Sequence, residues 1–141
     1  MFGNLSGCQK LKDMNYYFNT IIKESHDAAI LKVTEALKKE GFGIVSEIRM
    51  HEKFREKLGV DFRKYTILGA CNPAYAHKAV TTEEKIGTML PCNIVVIEHE
   101  KEKAEIVAIN PVASMMAVQN PALEGFGKEV AQILQEVIKS L

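Results

Sequence analysis

The sequence carries no excess charge of either sign: eighteen lysines and arginines stand against eighteen aspartates and glutamates. That balance denies it the broad positive field that sequence-independent nucleic-acid binding needs, so no nucleic-acid partner is expected. Nor does any stretch approach the ~18 consecutive apolar residues of a membrane helix, so no membrane partner is expected either. Cysteine is sparse and odd in number, at three residues. That argues against a disulfide framework and for free thiols in the cytoplasm. Leu5-Ser6-Gly7-Cys8 has the form of a lipid-attachment box. A lipoprotein signal needs a basic start and about 7–15 apolar residues before the box. Only Met1 to Asn4 stands there, and the match reads as accidental.

Several chemical signatures are also missing. There is no Cys-x-x-Cys, no His-x-x-x-His and no Gly-x-Ser-x-Gly elbow. Gly41-x-Gly43 follows a helical segment and opens a strand, the reverse of a dinucleotide-binding loop. No acid–base pair stands out, no cofactor is indicated, and whether the protein is an enzyme stays open.

What remains has the composition of an ordinary globular protein, 47% apolar and 26% charged over 141 residues. At that length a chain buries roughly 68–70% of its unfolded surface, enough for a core without staples. No repeat or linker divides it. Residues 1–13 read as an N-terminal tail, expected to be disordered, and 14–141 as a single α+β domain. Met14 to Ile22 is β-branched and aromatic, a first strand. Ser25 caps a helix that runs to Glu40 with Ala29, Val33 and Leu37 on one face, and Gly41 ends it. Gly43 to Met50 reads as a second strand packed through Ile44 and Ile48, followed by a short helix from His51 to Leu58. Tyr65 to Ala70, Ile94 to Ile97 and Ala104 to Ile109 are three more strands, the last two joined by the charged tip 98–103. The final helix is expected from Pro121 to Leu141, with a stripe of Phe126, Val130, Ile133, Val137 and Leu141.

Three of the four prolines follow asparagine: Asn72-Pro73, Asn110-Pro111 and Asn120-Pro121. Asn is a strong N-cap and Pro is well tolerated at the first helical position, so each dipeptide predicts a helical turn. Thr81 and Glu84 have the spacing of a capping box that would restart a helix. His26, His51 and His99 sit among charges and are expected to be solvated.

Gly41 to Ile48, Lys57 to Tyr65, Ile67 to Pro73 with His77, Leu90 to Val96, Ala108 to Pro111 and Asn120 to Leu123 together resemble the family known as domain of unknown function 302 (DUF302). The resemblance runs from about Met14 to the C-terminus. It implies a mainly antiparallel five-stranded sheet in β-α-β-β-β-β-α order with helical insertions, similar in outline to the TATA-binding-protein fold. It also implies a homodimer, and no established activity.

If the third and fourth strands are antiparallel, Cys71 closes one and Cys92 opens the next, at the same sheet edge. A helical crossover between them would favour parallel pairing, which would put the cysteines at opposite ends. The antiparallel choice gathers Cys71, Asn72, His77, Cys92, Asn93 and Asn110 as a candidate ligand-binding edge. Two thiolates and an imidazole form the ligand set of some zinc sites, which makes Cys71, His77 and Cys92 the candidate metal ligands. Met115 and Met116 would extend the set towards copper(I). Cys71, just before a capped helix, is the expected thiolate. The bland alternative is that both cysteines pack as small buried hydrophobes. Three functions follow: a small-ligand or metal-binding protein with a thiol-containing site, a dimeric interaction module without a small-molecule site, or a cofactor-independent enzyme.

Overall fold

The computed structural model describes residues 15–141. The expected tail, 1–13, and the lipid-box lookalike lie outside the described residues. Five strands form one sheet: β1 (Tyr17–Ile22), β2 (Gly43–Arg49), β3 (Tyr65–Cys71), β4 (Cys92–Glu100) and β5 (Lys103–Ile109). Their spatial order is β1-β5-β4-β3-β2 and every neighbouring pair is antiparallel. The fold is α+β, as expected. The helical crossover does not make β3 and β4 parallel. Helix α3 (Pro73–Thr82) and the 3-10 turn Glu84–Met89 return the chain to the sheet end it left, so β4 starts where β3 stops.

Helices α1 (His26–Lys39) and α5 (Glu124–Ser140) cover one face of the sheet. Ser25 Oγ accepts the Ala28 N–H at 3.1 Å to start α1, and Asp27 in its first turn suits the helix dipole. Gly41, at φ +82°, turns the chain out of it. Ala29, Val33 and Leu37 meet Leu68, Ile94, Val96 and Ile106 in the core. Fully burying one such leucine or isoleucine contributes about 1.5–3 kcal/mol.

Five expectations need correction. The last helix begins at Glu124, after a separate 3-10 turn, Pro121–Leu123. Its buried face centres on Val130, Leu134, Val137 and Ile138, while Phe126, Ile133 and Leu141 lie at the margin. The helix is rotated because it packs on α1 as well as on the sheet. The Thr81–Glu84 capping box does not form: Thr81 is still inside α3, and its hydroxyl donates to the His77 carbonyl at 2.7 Å. Ile44 and Ile48 do not share a face. A bulge at Val45 shifts the register, so Ile44 pairs with Ala70 on the covered side and Ile48 with Ile67 on the other. Finally, His26 is not solvated but fully buried.

Two short helices complete the chain, α2 (Met50–Leu58) after β2 and α4 (Pro111–Met115) after β5. Gly59, at φ +63°, ends α2. Asn72, Asn110 and Asn120 each cap the turn predicted for them, their side-chain oxygens accepting from Ala74, Val112 and Ala122 N–H at 3.0–3.1 Å.

Candidate functional site

Antiparallel pairing puts the end of β3 beside the start of β4, with Ala70 directly opposite Cys92 and Cys71 one residue beyond. The N-terminus of β2 and the C-terminus of β5 reach the same sheet end. At this end the sheet, α3 and α5 enclose a cavity of about 250 Å³, whose lining includes Cys71, Asn72 and Cys92. Its remaining walls are almost entirely hydrocarbon, with Phe42, Tyr75 and Phe126 the largest. Tyr75 lies between the other two rings, 6.5 Å from Phe42 and 5.8 Å from Phe126, centroid to centroid. Its hydroxyl donates to Glu129 Oε1 at 2.6 Å outside the apolar wall, which fixes the ring.

Local sequence explains each part. Gly41 lets the chain leave α1 in a left-handed turn and drop Phe42 into the core. A Cβ there would lie 3.0 Å from Asn72 Nδ2, so the turn packs directly on the cap of α3. Gly69 leaves room for Pro91. A side chain at Gly69 would overlap Ser46 Oγ and come within 2.7 Å of Pro91 Cγ. Asn72 Oδ1 accepts from the N–H groups of both Ala74 and Tyr75, at 3.0 and 3.2 Å, and holds α3 against the strand end.

Cys92 is not poised for nucleophilic chemistry. Burial, with a further contribution from the neighbouring Cys71, pushes the Cys92 thiol up to about 11. It therefore stays protonated near neutrality. Beside Cys71, the Ala74 and Tyr75 N–H groups at the start of α3 are engaged by Asn72.

The other candidates scatter. His77 is exposed and does not line the cavity. Among the described residues no three His, Cys, Asp or Glu side chains are placed to hold a metal ion. The expected set of Cys71, His77 and Cys92 is thus not assembled, because α3 presents Tyr75 and Ala76 to the cavity and leaves His77 outside. Asn93 lines a separate hollow of about 190 Å³ that shares only Leu90, Pro91 and Cys92 with the main cavity. Asn110 is buried as a joint between chain segments: it caps α4 and its Nδ2 donates to the Asn15 carbonyl at 3.0 Å. Met116 lines yet another hollow, and Met115 lies between that one and the hollow of Asn93 and Cys92; neither lines the main cavity.

The sequence reading missed the aromatic walls. Phe42, between two glycines after a helix, carried a usable signal, since an apolar residue at a helix exit commonly packs back on the helix. Tyr75 carried none, because a half-buried tyrosine in the first turn of a helix is unremarkable in a sequence.

Residues 18–141 match the family described as "Domain of unknown function DUF302". Among solved structures, the crystal structure of uncharacterized conserved protein DUF302 from Bacillus stearothermophilus is similar, with a TM-score of 0.82 and 27% identity over 89% of this chain and 98% of that one. No curated protein matches the chain. Among the described residues no helix is long and apolar enough to cross a membrane.

Proposed function

The chain belongs to the DUF302 family, and from that premise, which carries no activity, we propose that the protein binds a small apolar molecule in the Cys71–Cys92 cavity. The observation that carries this reading is the lining itself: three aromatic rings and two cysteine side chains around about 250 Å³, at the end of a sheet. Ligand cavities are typically concave, mostly apolar and supplied with few polar groups, and this one sits just below the usual ~300–1,000 Å³. That size admits one ring or a short branched chain. The two sulfurs then act as soft, polarizable wall groups, with S–aromatic contacts as their contribution. Among the described residues no third His, Cys, Asp or Glu ligand stands beside the two cysteines, so the apolar-ligand version is preferred.

Ligand-observed NMR with toluene and indole tests the proposal. Saturable binding of one or both is expected, and Ala76→Leu, which fills the cavity from α3, should remove it. No saturable binding, or binding that Ala76→Leu leaves unchanged in a folded protein, would overturn the reading.

A further inference from the structure

The hollow of about 190 Å³ beside the aromatic cavity is lined by three sulfur-bearing side chains, Met89, Cys92 and Met115. Local sequence and topology bring them together. The 3-10 turn Glu84–Met89 ends just before β4 opens at Cys92, which sets Met89 next to that thiol. Strand β5 runs antiparallel to β4 and stops beside its start. Helix α4 follows at once and ends on Met115. The polar groups that share the lining are the neutral Thr88, Asn93 and Ser114. Among the described residues no charged side chain borders the hollow. Met89 is 37% exposed, so the hollow meets solvent beside it.

We propose that this hollow is a site for a soft monovalent metal ion, copper(I), held by the Met89 and Met115 thioethers and the Cys92 thiolate. Ligand softness points to that ion. A set rich in thioethers favours copper(I), whereas zinc takes thiolates, imidazoles and carboxylates. Charge points the same way. One thiolate balances one positive charge, while a divalent ion would leave an uncompensated charge in a mostly apolar hollow. Methionine is unbranched and has three rotatable bonds, so both thioethers can close on an ion without moving the backbone. Binding involves no oxidation or reduction: the Cys92 S–H bond breaks, a Cu–S bond forms and the proton leaves to solvent. Burial raises this thiol to about 11, so near neutrality each ion bound releases one proton. Cys71 and Met116 take no part, since neither lines the hollow. Met89 and Met115 do not line the aromatic cavity, so different variants test this site and the apolar-ligand reading.

Anaerobic titration of the reduced full chain with copper(I), in competition with bicinchoninate, tests the proposal. One equivalent per chain is expected, with only sulfur around the metal by X-ray absorption. The apparent dissociation constant should fall roughly ten-fold per pH unit between about pH 6 and pH 8, because one proton is released. Met89→Leu and Met115→Leu nearly keep the volume and should fold normally by far-UV CD. Each should nonetheless weaken binding at least roughly ten-fold, and Cys92→Ser should abolish it. Cys8→Ser, Cys71→Ser, Met116→Leu and the cavity-filling Ala76→Leu should leave it unchanged. A chain that takes no copper(I) from bicinchoninate overturns the proposal. So does binding that both methionine variants leave unchanged, which would put the ion on thiols alone.

Discussion

His26 Nε2 and Thr66 Oγ1 lie 2.9 Å apart, and both side chains are fully closed to solvent. On the other side of the ring, Nδ1 is 2.8 Å from Asp27 Oδ1. A carboxylate only accepts, so Nδ1 carries the proton, and in the neutral imidazole Nε2 accepts from the Thr66 hydroxyl. The order carboxylate, imidazole, hydroxyl is that of a nucleophile relay. Here the hydroxyl is sealed in the core, so the relay serves packing: it locks the start of α1 to the start of β3. His51 stands against the same ring, 5.7 Å between centroids, and takes the Tyr65 N–H on its Nδ1 at 3.0 Å.

Replacing Thr66 with Val keeps the volume and leaves His26 Nε2 without a partner. The expected loss is about 1–3 kcal/mol of unfolding free energy, read from urea denaturation. In a double-mutant cycle, His26→Leu with Thr66→Val should cost less than the two single changes together. Strict additivity would mean that the two groups do not act as a pair.

Acid sensitivity should follow from the same contact. The hydrogen bond from His26, with Lys64 contributing less, holds the Asp27 carboxyl below its usual 3.8. A carboxyl whose folded pKa is depressed contributes stability above its unfolded pKa and loses it as pH falls through the folded value. Glu105 behaves likewise, lowered chiefly by His99 and also by Asn19. Stability should therefore decline below about pH 4, and Asp27→Asn should flatten that decline. Thermal melting between about pH 6 and pH 3 measures it, and identical acid limbs for the two proteins would exclude the contribution.

Cys92 should be a sluggish thiol. With its pKa at about 11, only roughly one molecule in a thousand carries the thiolate at pH 8. Iodoacetamide should modify Cys92 slowly there and faster with each rise in pH, as read by mass spectrometry of peptides. Rapid alkylation at pH 7 would contradict the buried, protonated thiol on which the cavity's apolar character rests.

Gly69→Ala should disturb the cavity without touching a ligand. The new methyl group meets Ser46 Oγ and Pro91 Cγ, so Pro91 must shift or the strand must bend. Overpacking of this kind costs typically 1–3 kcal/mol. Because Pro91 also lines the cavity, toluene or indole affinity should fall along with stability. An unchanged melting temperature would show that the proline yields freely.

Much of this architecture can be read in the residues alone. Ser25, Gly41 and the three Asn-Pro steps announce their caps and exits because those are local interactions between a side chain and a backbone group a few positions away. The meeting of Cys71 and Cys92 at one sheet end was legible only as one of two outcomes, and strand direction chose between them. His77 looked like a ligand because it shares a short helix with the end of β3. Helical rotation is what takes it away, since it presents Ala76 and leaves the next residue outside.

The sequence by itself determined the strands, the Asn-Pro and Ser25 caps and the balance of charge, all set by composition and by contacts between near neighbours. Tertiary structure alone decided that His26 is buried on Thr66, that Ile48 turns to the open face past the bulge at Val45, and that Phe42, Tyr75 and Phe126 wall the cysteine cavity. Those outcomes depend on which distant segments meet. That is fixed by how the whole chain buries its apolar surface at once, and no local pattern carries it.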